Sequence, residues 1–128
     1  MDDYRYIESE DYYEMACQWI KHKNFDKAED CLLRSVSLNP HFTYAYITLA
    51  RIYARKEKFH DAIHVLKKAS KNDPGFDRIN FLMAKYAFKN HDYRNALKFI
   101  DRAIEINPTE LYESARGIIM DWFRSMNR

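Results

Sequence analysis

Glycine and proline are scarce in this chain, two and three residues respectively among 128. An all-β protein turns about every ten residues and needs far more of both, so few breakers over a long chain point to helices. Cysteine is sparse as well. Cys17 and Cys31 have neither the spacing of a metal site nor the number for a disulfide framework, and they read as two reduced thiols of a cytoplasmic protein. No apolar run approaches the length needed to cross a bilayer. The opening Met1-Asp2-Asp3-Tyr4-Arg5 is acidic and lacks the basic start and apolar core of a signal peptide. No Gly-rich phosphate loop, nucleophile elbow or HExxH segment occurs. These absences set the expectation of no enzyme activity: no catalytic residue, no cofactor, no metal, and no membrane partner.

What is present is globular in composition, 47% apolar and 31% charged, in a length that suits one domain over 1–128 with its own core. The formal charge is only +2, but it is unevenly spread. Residues 1–14 hold six acids (Asp2, Asp3, Glu8, Glu10, Asp11 and Glu14) against Arg5 alone. Such asymmetry bears on partners rather than on fold.

The three prolines, Pro40, Pro74 and Pro108, stand 34 residues apart, each after Asn39, Asp73 or Asn107. Proline cannot continue a helix and biases the residue before it away from helical angles, so the pairs are three matching stops. Residues 9–42, 43–76 and 77–110 align without gaps. Their eighth place is Ala16, Ala50, Ala84 and their twentieth Ala28, Ala62, Ala96. The seventeenth is Phe25, Phe59, Tyr93 and the twenty-fourth Leu32, Leu66, Ile100. Small residues recur where helices approach closely and large ones where the gap must be filled. Within a unit the apolar places fall three or four apart, the spacing of one helical face. Ser9, Thr43 and Asp77 each open a unit and can cap a helix. The expected helices are 9–22, 25–38, 43–56, 59–72, 77–90, 93–106 and 110–125.

This pattern resembles the tetratricopeptide repeat, W-x2-L-G-x2-Y followed by Ala, a large apolar residue, Ala and Pro. Tyr12, Tyr46 and Asn80 stand for the tryptophan, alanine replaces the close-packing glycine throughout, and Ser35 replaces one alanine. Asn80 and Ala87 make the third unit the least regular. The resemblance covers 9–110, with a closing helix over 109–126. It implies an all-α, right-handed superhelical solenoid of antiparallel helix pairs with a concave inner surface.

In such a superhelix the first helix of each unit lines the groove. The resemblance then places Tyr13, Cys17, Tyr44, Ile47, Arg51, Arg55, Arg78, Phe81, Lys85, Phe88 and Lys89 there, a basic and aromatic set with Glu10 as its one acid. Exposed Tyr, Phe and Arg carry interface energy, so an acidic and apolar segment of another protein is the expected ligand. The family's carboxylate clamp for Hsp70 and Hsp90 tails needs Lys and Asn, then Asn, then Lys and Arg. Its places hold Tyr13, Cys17, Thr48, Arg78 and Leu82, of which only Arg78 is suitable, so chaperone tails are disfavoured. His60 and His64 lie four apart on one helix but lack a third metal ligand, and read as solvated. Most aromatic residues fall on packing places, which disfavours a base-stacking, RNA-binding solenoid.

The last helix carries too much apolar surface for one neighbour. Leu111, Ala115, Ile118, Ile119, Trp122, Phe123 and Met126 span about 140° at 100° per residue, against a usual stripe of about 100°. Ile119, Met120 and Phe123 are expected to stay exposed and to join two copies as a homodimer. An adaptor or chaperone-like module is therefore the first expectation, and a structural assembly subunit joined through this helix the second.

Overall fold

The computed structural model describes residues 3–127; Met1, Asp2 and Arg128, at the ends of the expected domain, lie outside them. Among the described residues the chain forms seven α-helices and no strand: α1 (Asp3–Lys21), α2 (Phe25–Leu38), α3 (Thr43–Arg55), α4 (Phe59–Asn72), α5 (Asp77–Lys89), α6 (Tyr93–Ile106) and α7 (Glu110–Met126). α1 packs on α2, α3 on α4 and α5 on α6, and each pair leans on the next, with α7 laid on α6. The alanines that recur at 34 residues, Ala16, Ala50, Ala62, Ala84 and Ala96, are fully or almost fully buried, as are Leu32, Leu66 and Ile100. Burial of this kind drives the stacking, since one helix pair cannot hide its own apolar face.

Three places that the pattern left to polar linkers take a left-handed backbone. Lys23, Glu57 and His91 have φ of 59°, 60° and 60°, and again stand 34 apart. At the second, the Glu57 amide donates to the Ala54 carbonyl at 2.9 Å and the Lys58 amide to Tyr53 at 2.8 Å. Lys23–Asn24 and His91–Asp92 repeat both bonds. That pair of bonds closes a helix with one left-handed residue, a position where glycine is usual. The reversal inside each helix pair therefore comes from backbone geometry held by packing on both sides.

Two expectations about helix starts are corrected. α1 begins at Asp3, six residues before Ser9, so Ser9 is an interior residue and not a cap. It is fully buried, and its hydroxyl donates to the Ser35 carbonyl at 2.8 Å while the Ser35 hydroxyl donates to the Ser9 carbonyl at 2.8 Å. Ser35 thus answers Ser9 where the other units keep alanine. Thr43 and Asp77 are the first residues inside their helices. Phe42 and Phe76, whose amides close turns onto the Asn39 and Asp73 carbonyls, hold the cap positions without side-chain bonds. True side-chain caps are Asn24 on Lys27, Asp92 on Asn95, and, as expected, Thr109 on Tyr112.

Candidate functional site

The first helices α3 and α5 project their cations into one cleft of about 580 Å³. Arg51 and Arg55 come from α3, and Arg78, Lys85 and Lys89 from α5, all exposed. They recur at matching places because Arg51 and Lys85, and likewise Arg55 and Lys89, stand 34 residues apart. Ile52, Leu82 and Tyr86 form the buried floor, and burial raises the Tyr86 phenol above its ordinary range, keeping it neutral. The Arg55 guanidinium lies 4.5 Å from the centre of the Phe25 ring, which steadies it against the α2 side.

Lys85 borders a second cleft of about 280 Å³ between α5 and α7. Apart from Lys85, its wall is apolar: Phe81, Ala84, Phe88, Ile100, Ala115, Ile118 and Ile119. The face that carries both clefts is therefore basic along α3 and α5 and apolar beside α7.

Two side chains of α7, Tyr112 and Arg116, tie it to α5 and α6. The Tyr112 hydroxyl donates to the Asp77 carboxylate at 2.6 Å, and Asn107 donates to the same oxygen at 3.3 Å. Arg116 Nε donates to Asp101 at 2.6 Å. The bond from Tyr112, with Asn107 adding, holds the Asp77 carboxyl below the ordinary carboxylate range. Burial first, and Asp77 second, push the Tyr112 phenol up to about 12.

The remaining expected groove residues divide. Tyr44 is 60% exposed, with its ring edge-on to Phe76 at 6.1 Å, outside both clefts. Cys17 is half-buried and outside both. Tyr13 is half-buried, its ring 5.0 Å from Phe42 and its hydroxyl 3.3 Å from Thr48. Ile47 is corrected: it is 4% exposed, packed within the core, and lines neither cleft. Its place in the unit packs against the following helix pair, as Tyr13 meets Thr48 of α3 and Phe81 meets Tyr112 of α7 at 5.1 Å. Phe81 and Phe88, expected as open groove residues, pack on rings of α7 and α6. Phe88 lies 5.4 Å from Tyr93 and 6.1 Å from Trp122.

The self-association patch is corrected more deeply. Ile119 is 5% exposed, and Met120 and Phe123 are half-buried. The exposed residues are Leu111, Ile118, Trp122 and Met126 instead. The cause is the last link. Four residues, 39–42 and 73–76, separate the earlier helix pairs, but only three, 107–109, precede α7. One residue fewer turns the helix by about 100°. Ile119 thereby takes the buried place of Ile52 and Tyr86, and Ile118 takes the groove place of Arg51 and Lys85.

His60 and His64 are both exposed, and His60 Nε2 lies 3.1 Å from Asn90. Burial, with Asp30 adding, raises the Cys31 thiol and so keeps it protonated. Among the described residues no group of three or more His, Cys, Asp or Glu is placed to hold a metal, and no helix is long and apolar enough to cross a membrane.

The fold has close counterparts. The first tetratricopeptide domain of Spaghetti (RPAP3), bound to the HSP90 peptide SRMEEVD, superposes with a TM-score of 0.81 at 17% identity, over 96% of this chain and 96% of that one. The N-terminal domain of stress-induced protein-1 from C. elegans gives a TM-score of 0.86 at 15% identity, over 91% and 97%. MamA gives 0.74 at 24% identity, over 77% of this chain and 54% of its own. At these identities the likeness shows the fold alone. Comparison with curated proteins gives no match in sequence. The family model described as anaphase-promoting complex, cyclosome, subunit 3 matches residues 21–103. The chain belongs to that family, a branch of the tetratricopeptide-repeat proteins, whose helix-pair solenoids are protein–protein interaction modules.

Proposed function

We propose that the concave side holds a segment of another protein in which acidic side chains stand beside Leu- or Phe-like ones, as an adaptor does in the cytoplasm. One observation carries this reading: the cleft bearing Arg51, Arg55, Arg78, Lys85 and Lys89 adjoins, across Lys85, an apolar cleft of about 280 Å³. Each exposed ion pair contributes only about 0.2–1 kcal/mol, so the cations set partner choice and approach rate more than affinity. An apolar side chain seated between α5 and α7 adds roughly 1.5–3 kcal/mol, which argues for a partner carrying both kinds of residue.

The peptide SRMEEVD, bound by the Spaghetti (RPAP3) domain, is a direct comparison. Two clamp places here hold Tyr13 and Thr48, which contact each other at 3.3 Å and bring no charge. We expect that peptide to bind no better than other acidic peptides of its length. An RNA backbone would also answer the cations, but the apolar cleft has no use for a phosphate.

The test is fluorescence anisotropy with a labelled peptide of alternating acids and Leu or Phe, set against its Lys-substituted version. The acidic form should bind at least about tenfold more tightly, and the difference should shrink as salt rises. Lys85→Glu, next to both clefts, should weaken it most. Equal binding of the two peptides would refute the reading.

A further inference from the structure

α7 leaves one apolar stripe uncovered. Leu111, Ile118, Trp122 and Met126 are 60%, 55%, 51% and 66% exposed. With half-buried Ala115 they follow one another at intervals of four, three, four and four residues. At 100° per residue the set spans only about 80° of the helix surface and is about 22 Å long, the dimensions of a seam between two helices. The stripe is also held in position. The Trp122 ring stacks on Tyr93 at 6.0 Å and meets Phe88 at 6.1 Å, so its widest member is fixed before anything docks.

The stripe is nearly symmetric under reversal. Turned about a point beside Ile118, Leu111 falls within one residue of Met126 of a second copy, Ala115 within one residue of Trp122, and Ile118 beside its own counterpart. The small residue then meets the largest, and the two long aliphatic ends meet each other. Parallel pairing would set Trp122 against Trp122 and Ala115 against Ala115, a clash beside a void.

We infer that α7 is a two-fold contact in which Leu111, Ala115, Ile118, Trp122 and Met126 pair antiparallel with the same residues of a second copy of this chain. The contact replaces the Ile119, Met120 and Phe123 patch, whose members are covered or half-covered within one copy. Four residues with these exposures offer roughly 450 Å² per copy, a patch of the size that marks an interaction site. Two copies together bury about 900 Å² from them, below the 1,200 Å² or so of stable complexes, so the dimer is weak and concentration-dependent. The contact is isologous and closes at two.

The test begins with solution mass. It should rise from the protomer's 15.5 kDa toward twice that value as the full chain is concentrated. Ile118→Glu should hold the protomer mass with an unchanged melting curve, because that side chain is more than half exposed. Orientation is read by cross-linking in a Cys17→Ser background under oxidised glutathione. Ile118→Cys should form a dimer with itself. Leu111→Cys and Met126→Cys should each stay monomeric alone and cross-link when mixed, since a disulfide needs Cβ atoms about 4 Å apart. A protomer mass at every concentration, a dimer that survives Ile118→Glu, self-cross-linking of Leu111→Cys, or assemblies that grow beyond two would each overturn the inference. Ala115 and Ile118 also line the apolar cleft between α5 and α7, so a bound peptide should lower the dimer fraction; the mass series is run without peptide, which keeps its failure distinct from failure of the groove.

Discussion

Replacing Ser9 and Ser35 by alanine, singly and together, tests how α1 is held to α2. Both residues are fully buried, and each hydroxyl donates to the other residue's carbonyl at 2.8 Å, with the two oxygens 3.0 Å apart. The arrangement decides the arithmetic. In Ser35→Ala, the Ser9 hydroxyl still has the Ser35 carbonyl as acceptor, and the Ser9 carbonyl loses one donor. Ser9→Ala is the mirror case, and the Ser35 carbonyl keeps its helical bond from the Asn39 amide at 3.0 Å. Neither single change strands a buried polar group, so the large desolvation penalty does not arise. Each should cost one net hydrogen bond, about 1 kcal/mol. Both donors point away from the other hydroxyl, so the coupling between them should stay under about 0.5 kcal/mol and the double variant should lose about 2 kcal/mol. By thermal melting that is roughly 3–6 °C for each single change in a domain of this size. The reasoning fails if the double variant loses no more than one single, which would mean that the hydroxyls bond each other. It also fails if Ser35→Ala raises the melting point, in which case alanine alone suits this place.

Tyr112→Phe should loosen α7 and cost about 1 kcal/mol at neutral pH, a charge-assisted bond discounted for partial exposure. Since the folded Asp77 carboxyl lies below its ordinary value, its contribution is present above about pH 4 and lost as pH falls through the folded value, so the two melting curves should converge in acid. The Tyr112 phenol is raised to about 12, so wild type should lose a further increment as pH climbs from about 10 toward that value, and the Phe variant should lack this limb. A constant difference across the whole pH range would refute both signs. Glu57→Gly, at a left-handed residue of φ 60°, should stabilise by about 0.5–1 kcal/mol in denaturant melts; a loss of stability would mean that the Glu57 side chain makes contacts of its own.

The sequence by itself determined the architecture. Asn39-Pro40, Asp73-Pro74 and Asn107-Pro108 stop a helix wherever they occur, and Ala16, Ala50 and Ala84 permit close approach whatever lies beyond them. Such local signals place α2 to α7 within one residue of expectation. They also bring out four of the five cations of the basic cleft, because Arg51 and Lys85, and Arg55 and Lys89, stand one period apart, whereas Arg78 has Tyr44 at its place in the unit before. Which apolar residues stay uncovered was decided by tertiary structure. Periodicity shows that a helix has a wide apolar arc, but not which edge of the arc its neighbours take. Ile47, on a first helix expected to face the groove, is buried in the core instead. In α7 the deciding quantity is the length of the link before it, three residues in place of four, which rotates Ile118 outward and Ile119 inward. One residue of chain is a small signal in a sequence. It is a turn of about 100° in a helix.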